Sequence, residues 1–133
     1  MSDVVTDTHG IIWYLEDSPK LSTEANKIFN ACDRGELFIY VPTICLVEMV
    51  YLAEKGRIPL HLQNKLESEL QEGNSGLVVA DLTLDIVKRL PDIPRSAIPD
   101  MLDRIIAATA LQLGLPLISR DRKIQLSDIN IIW

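Results

Sequence analysis

Four carboxylates in this chain lie where a soluble domain would ordinarily carry apolar or neutral residues: Asp7, Glu48, Asp103 and Asp121. In that order, one ends a β-branched run, one interrupts an apolar stretch, and two border apolar segments. An isolated buried carboxylate is costly unless it is paired with a cation or binds a metal. Carboxylate oxygen is a preferred ligand of Mg²⁺, and a bound divalent cation can activate water and stabilise a transferring phosphoryl group. The pattern therefore predicts one acidic pocket that binds Mg²⁺ or Mn²⁺ and hydrolyses a phosphodiester. The most plausible substrate of such a site is RNA.

Each of the four acids also has a structural explanation. Asp7 can cap the helix that follows it, Asp121 can form a turn, and Glu48 can make a salt bridge to a buried arginine. Asp103 falls in the first turn of a helix whose N-cap is expected at Asp100, and the helix dipole favours a negative charge there. Like charges held close together disfavour one another's ionisation, and a divalent cation removes that conflict, so a shared site explains all four acids at once. Asp7 and Asp103, at a strand end and a helix start, are the expected direct ligands.

Strand-like and helical segments alternate along the chain. The β-branched and apolar runs predict strands at 4–7, 37–41, 77–80 and 115–119, with a further one at 129–133. The segments between them have helical spacing; one contains Glu48 and another covers 101–113. This alternation predicts a single α/β domain over 1–133 with a mainly parallel central sheet. Ligands of such sheets bind beyond the carboxyl ends of the strands, and Asp7 and Asp121 each lie just past one.

The composition bounds the class of protein. The 133 residues suffice for one domain, and 47% hydrophobic and 24% charged residues are ordinary globular values. No apolar run approaches the ~20 residues that span a bilayer, and the N-terminus lacks the basic segment of a signal peptide, so we expect a cytoplasmic protein with no membrane partner. The two cysteines supply neither a metal-ligand spacing nor a disulfide framework.

The net charge of −6 argues against a nucleic-acid partner, because contacts to phosphates need lysine and arginine. A metal site, however, needs acids whose charge the cation offsets locally. Basic residues also cluster in the sequence around the last two acids: Arg95, Arg104, Arg120, Arg122 and Lys123. This cluster is either a substrate-binding surface or a solvated rim.

At the level of motifs, the chain resembles the PIN domain, and most closely the VapC-type toxin ribonucleases of toxin–antitoxin pairs. The resemblance covers essentially the whole chain, and the order and spacing of its segments make it specific. The segments that carry it are Val5-Thr6-Asp7-Thr8-His9 followed by Trp13-Tyr14-Leu15, then Val41 to Met49, Asp103 to Ala110, Leu117 to Asp121, and the closing Ile131-Ile132-Trp133.

The resemblance implies a three-layer α/β/α fold and a Mg²⁺- or Mn²⁺-dependent endoribonuclease that forms a homodimer and is inhibited by a cognate antitoxin. It places the family's catalytic acids on Asp7, Glu48, Asp103 and Asp121. The last of these varies most in role among such proteins, where it often acts indirectly.

Other side chains near the acids are candidates for supporting roles. Thr8 and Ser119 could hydrogen-bond to the acids, and Arg104 could contact the substrate; all three could equally be cap, turn or rim residues. His9 could act as a general base or pack at the start of a helix. The two tryptophans, Trp13 and Trp133, are predicted to be core residues rather than platforms for base stacking.

Two other classes of function remain open from the sequence. The first is the same fold with a weak catalytic site, which binds RNA or a partner protein. The second is a phosphatase with an aspartate nucleophile, which would want an acid two residues after Asp7, where the chain has His9. For an interface, the apolar helices within 44–70, or the helix near Ile28 and Phe29, are predicted to form a two-fold dimer or to receive an antitoxin helix.

Overall fold

A parallel β-sheet forms the middle of the molecule in the computed structural model, which describes residues 2–121 and 128–133. Its strands lie in the order β3-β2-β1-β4-β5, and every neighbouring pair is parallel. The strand bounds are β1 Val4–Thr6, β2 Ile39–Pro42, β3 Leu77–Ala80, β4 Leu117–Ile118 and β5 Ile131–Ile132. All residues of β1 and β4 are buried, as expected for strands that are covered by helices on both faces. The predicted α/β/α architecture with a parallel central sheet is confirmed.

Six α-helices and one short 3₁₀-helix connect the strands within the described ranges. Four of them begin at favourable N-caps, because the side chains of Asp7, Ser22, Thr83 and Asp100 each accept a hydrogen bond from a backbone N–H of the first turn. The helix bounds are α1 Thr8–Leu15, α2 Thr23–Asp33, α3 Thr43–Glu54, α4 Leu60–Glu72, α5 Leu84–Arg89, the 3₁₀-helix Leu90–Asp92, and α6 Met101–Leu113. None of these helices has the length and apolar character that crossing a membrane requires.

The strand order creates a switch point between β1 and β4. From β1 the chain builds the sheet outwards through β2 and β3, and it later returns to the other side of β1 to form β4 and β5. Parallel α/β sheets bind ligands beyond the carboxyl ends of their strands at such a point. Asp7 follows β1 directly, and Ser119, Arg120 and Asp121 follow β4. Helix α3 continues from β2 without a loop, and α6 leads into β4, so four elements bring their acids to one edge.

Helix α3 buries a different face from the one predicted. Cys45 and Met49, one helical turn apart, are fully buried, whereas Val47 is 48% and Tyr51 60% exposed. The prediction that Glu48 lies on the buried apolar face of this helix is therefore wrong, because the face that is buried is a different one. The sequence offers two apolar stripes on this helix; α3 packs against β2, α1, α4 and α6, and the stripe that becomes buried is the one with Cys45 and Met49.

Helix α2 turns its apolar residues inwards. Phe29 is fully buried and stacks on Tyr14 with ring centroids 4.4 Å apart, and Ile28 is also buried. Both side chains belong to the chain's own core, which removes this helix face as a candidate interface and corrects that part of the prediction.

Candidate active site

Asp7 serves both as a helix cap and as a side chain of the site. Its Oδ1 accepts a hydrogen bond of 2.7 Å from the backbone N–H of Gly10, which starts α1 at the end of β1. Burial raises the pKa of the Asp7 carboxyl, and the negative charge of Glu48 raises it further. The Gly10 N–H, the Ser119 hydroxyl and the charge of His9 act in the opposite direction. The two explanations offered by the sequence are therefore compatible, because one oxygen caps the helix and the carboxylate still lies among the other acids.

Thr8 connects α1 to the carboxylate of α3. The Thr8 hydroxyl donates a hydrogen bond of 2.5 Å to Glu48 Oε1, and the Thr8 side chain is almost completely buried. Within residues 2–121 and 128–133, Glu48 makes no ion pair with lysine or arginine, so the salt bridge that the sequence left open does not form there. A neutral hydroxyl orients this carboxylate without neutralising it.

Asp103 lies in the first turn of α6 but does not cap that helix. Asp100 Oδ1 accepts the hydrogen bond from the Asp103 backbone N–H at 3.0 Å, as predicted, which leaves the Asp103 carboxylate to the site. Partial burial raises the pKa of Asp103 to about 6, and the charges of Asp100, Asp121, Glu48 and Asp7 contribute in that order. The three other acids of the predicted tetrad therefore act on Asp103 electrostatically.

The segment after β4 contributes the fourth acid through a local turn. The Asp121 backbone N–H donates to Ser119 Oγ at 3.1 Å, and Ser119 is buried beneath the site. Since Ser119 also interacts with Asp7, this hydroxyl links the ends of β1 and β4. The predicted supporting positions of Thr8 and Ser119 thus lie beside the acids.

An open cavity of about 400 Å³ lies at this edge of the sheet. Its walls bring together three of the predicted acids, two aromatic rings and one cation: Asp7, Asp103, Asp121, His9, Trp13 and Arg120. Glu48 lies beside it, in the wall of an adjacent apolar groove, and reaches the site through Thr8. The arrangement is suited to binding a cation and a phosphate in one place. Trp13 is half-buried at the cavity edge rather than in the core, a position that its apolar sequence neighbours did not indicate.

Comparison with known protein families matches residues 4–130 to the PIN domain. The chain belongs to the PIN domain family. It is 28% identical over 125 residues to Ribonuclease VapC22 of Mycobacterium tuberculosis, an alignment that spans 94% of this chain and 92% of that protein. The resemblance to VapC-type PIN domains that the sequence motifs indicated is confirmed.

Solved structures share the PIN fold over nearly the whole chain. VapBC2 from Rickettsia felis bound to a promoter DNA fragment aligns with a TM-score of 0.73 at 16% identity, covering 99% of this chain and 98% of that one. DNA-bound VapBC from Salmonella typhimurium aligns with a TM-score of 0.68 at 21% identity, with 99% and 98% coverage. A toxin–antitoxin complex from Klebsiella pneumoniae aligns with a TM-score of 0.66 at 22% identity, covering 98% of this chain and 96% of that one. These likenesses establish the fold.

The donor atoms of this PIN domain fit a divalent cation that keeps part of its water shell. In the part of the chain that the structure describes, no group of three or more His, Cys, Asp or Glu side chains forms a complete metal cage. Mg²⁺ needs no such cage, because it usually retains several waters and is held by one or two carboxylates. Asp7 and Asp103 offer one carboxylate each to the same cavity, and burial, together with the charges of nearby acids, raises the pKa of both carboxyls.

Arg104 has a structural role in this PIN domain. Its Nε donates to the carbonyl of Ile93 at 2.9 Å, and one of its terminal nitrogens donates to the carbonyl of Leu90 at 2.8 Å. These bonds fasten the 3₁₀-helix to α6, and Arg104 does not line the cavity, so we leave it out of the proposed site. Of the other predicted cations, Arg120 lines the cavity, Arg95 is exposed, and Arg122 and Lys123 lie outside the described residues.

Proposed function

We propose that this chain is a Mg²⁺- or Mn²⁺-dependent ribonuclease and the toxin of a toxin–antitoxin pair. The observation that carries the proposal is the convergence of carboxylates from four elements at the switch point of the sheet, where Asp7, Glu48 and Asp121 add to the effect of burial in raising the pKa of Asp103. The name of its relative, a ribonuclease, and the toxin–antitoxin complexes among its structural neighbours support it. An RNA substrate would place this activity in the cytoplasm.

Asp7 and Asp103 are the residues that would hold the cation. When bound, a divalent cation acidifies a coordinated water and stabilises the charge on a transferring phosphoryl group. The Gly10 N–H and Ser119 hydroxyl fix the direction of the Asp7 carboxylate. Thr8 occupies Oε1 of Glu48, which leaves Oε2 to accept a hydrogen bond from the attacking water. We assign Asp121 an indirect role, in which it adds negative charge at the mouth of the cavity.

The proposal is tested by incubating purified protein with total cellular RNA. Cleavage is expected with Mg²⁺ or Mn²⁺, should stop with EDTA, and should return when excess Mn²⁺ is added. A protein that leaves RNA intact with every divalent cation would favour the alternative of a catalytically weak module that binds RNA or protein. Cleavage that persists in EDTA would contradict the metal-dependent mechanism.

The apolar groove beside Glu48 is the proposed binding site for the antitoxin. It has a volume of about 400 Å³, lies between α3 and the start of α6, and is lined mainly by exposed or half-buried apolar side chains: Ile44, Val47, Tyr51, Leu52, Met101 and Leu102. An amphipathic helix can place apolar side chains at helical spacing in such a groove. An antitoxin segment there would lie against the catalytic acids, which accounts for inhibition by a single binding event.

Light scattering at micromolar concentration distinguishes the antitoxin from a second copy of the chain. If the groove binds the antitoxin, Tyr51→Glu should leave the mass of the isolated protein unchanged and abolish co-purification of the antitoxin when the two are expressed together. The matched control is Leu84→Glu, an equally exposed apolar position on α5. A wild-type dimer that Tyr51→Glu converts to a monomer would assign the groove to the predicted homodimer instead.

A further inference from the structure

The indole ring of Trp13 lies at the edge of the acidic cavity with two cations near it. Arg120 Cζ is 5.5 Å and Lys20 Nζ is 5.9 Å from the ring centroid, both within the range of cation–π attraction. The ring also contacts His9, with centroids 5.4 Å apart, and Trp133, at 5.8 Å. One aromatic side chain therefore lies within cation–π distance of both a lysine that follows α1 and an arginine that follows β4.

Neither cation is neutralised by a carboxylate in the described part of the chain. The ion pairs there lie elsewhere: Lys27–Glu24, Arg34–Glu36 and Arg89–Asp92. Arg120 nevertheless lines the same cavity as Asp7, Asp103 and Asp121. Lys20 and Arg120 are both exposed, so their charges face solvent beside the Trp13 ring.

We propose that Lys20 and Arg120 bind backbone phosphates of single-stranded RNA, and that Trp13 is the residue that positions both cations; this inference rests on the ribonuclease function proposed above. A chain with a net charge of −6 repels a polyanion, so local positive charge must hold the strand beside the acids. Contacts to phosphate fix the register of a nucleic acid without reading its sequence. We call the three residues the cationic rim.

The contacts of Trp13 favour phosphate binding over base stacking. His9 and Trp133 pack against the indole, and the two cations lie near the same ring. The groups that an incoming strand meets are therefore the ammonium and the guanidinium. This distinction has a measurable consequence, because phosphate contacts release counterions and base stacking does not.

The test measures how RNA affinity depends on salt. A short fluorescein-labelled single-stranded RNA is titrated at several KCl concentrations with Asp103→Asn protein, which we expect to cut RNA about 1,000-fold more slowly than the wild type. Lys20→Ala and Arg120→Ala should each weaken binding and reduce the slope of log Kobs against log[salt] by about 0.7, the value for one phosphate contact to a single strand. The charge-matched controls Lys88→Ala and Arg57→Ala, at exposed positions outside the acidic cavity, should keep the parent slope.

Trp13 is tested through the cations that it positions. Trp13→Leu should lower the salt slope towards that of the Lys20→Ala/Arg120→Ala double variant, and Trp13→Phe, which keeps an aromatic ring and the packing, should lower it less. In the double variant, Trp13→Phe should change the slope no further. Loss of affinity in Trp13→Phe at an unchanged slope would indicate base stacking and overturn the positioning role.

The outcomes separate this inference from the function on which it rests. If the wild-type protein cuts RNA while the Lys20 and Arg120 variants keep the slopes of their controls, the cationic rim is overturned and the ribonuclease stands. If the variants lose slope as expected but the wild-type protein cuts no RNA with any divalent cation, the rim is supported and the proposed enzymatic function fails.

Discussion

Thr8 is the residue through which α1 controls the acid on α3. Its hydroxyl makes the hydrogen bond to Glu48 Oε1 that the structure shows, and its burial excludes water from competing for that bond. Without this bond, a carboxylate on a partly exposed helix face would sample several rotamers. A water molecule bound to a disordered carboxylate would then have no defined position.

Replacing Thr8 by valine should therefore impair cleavage more than stability. Thr8→Val keeps the shape of the side chain and removes the donor, and we expect the rate of RNA cleavage to fall by about 10-fold, as is usual when the partner of a metal-site carboxylate is lost. Thr8→Ser should retain most activity. Thr109→Val is the matched control, because it removes another buried threonine hydroxyl, bonded to the Ile105 carbonyl, away from the site. Equal rates in the two valine variants would contradict a role for Thr8.

The sequence identifies the acids more easily than the residues around them. Each acid breaks a local apolar pattern, and Thr8 and Ser119 stand within two residues of an acid in the chain, so short-range sequence patterns identify all of them. Lys20 and Arg120 are different, since their meeting near Trp13 depends on where the chain places the segments that follow α1 and β4. No local pattern contains that information.

At the scale of elements, Gly10 sets how closely α1 approaches the sheet. A Cβ at this position would lie 2.8 Å from Thr6 Oγ1, 3.0 Å from Asp7 Oδ1 and 3.3 Å from Ile118 Cγ2. Two of these atoms belong to the strands that form the switch point, and one belongs to the capping carboxylate. The close approach is what lets the first turn of α1 hold Asp7 by its backbone.

Gly10→Ala should consequently destabilise the protein, although alanine favours helices. The helix propensity gain is about 1 kcal/mol, but overpacking against Thr6 and Asp7 costs about 1–3 kcal/mol, and the displaced carboxylate should also slow cleavage. Urea unfolding measures the balance. Asn64→Ala, at an exposed position of α4, shows the propensity gain alone and should be slightly stabilising. A gain in Gly10→Ala equal to that of Asn64→Ala would show that the site can accept the extra carbon.

The helices and strands were predicted correctly where one hydrophobic pattern dominates. Predictions of the buried face failed where two apolar patterns compete on one helix. Strand β1 and helix α6 follow from uninterrupted runs and from the Asp100 cap. Helix α3 is apolar on several sides, so its buried face is decided by the neighbours that cover Cys45 and Met49 rather than by its own spacing. Ile28 and Phe29 show the same limit, because an apolar helix face has the same sequence whether it meets the chain's own core or a partner.

At the scale of the whole molecule, the acidic site makes stability depend on pH and metal. The pKa of Asp103 is raised from its ordinary 3.8 to about 6, and that of Asp7 is raised as well. A raised carboxyl pKa means that the folded state binds the proton more tightly than the unfolded state. The contribution of protonated Asp103 to the stability of the fold is therefore complete below about pH 3.8 and is lost as the pH rises through about 6.

In metal-free buffer, the free energy of unfolding of Asp103→Asn should increasingly exceed that of the wild type as the pH rises from 4 to 7. After allowance for solvent screening of this half-exposed group, we expect about 1 kcal/mol, or roughly 4 °C in Tm, at the upper end. Saturating Mn²⁺ should raise the Tm of the wild type and leave that of Asp103→Asn almost unchanged, because a cation that binds only the folded state stabilises by mass action. Parallel curves for the two proteins at every pH, with and without Mn²⁺, would mean that the acids do not act together.

The most direct measurement of the central claim is single-turnover cleavage of RNA by wild type, Asp103→Asn and Asp81→Asn, purified identically and assayed with Mn²⁺. Asp81 also follows a strand, β3, but it is exposed and does not line the cavity. Loss of a metal-binding carboxylate removes several kcal/mol of transition-state stabilisation, so Asp103→Asn should be slower by about 1,000-fold while Asp81→Asn cuts at the wild-type rate. A folded Asp103→Asn protein that cuts RNA as fast as the wild type would contradict the account.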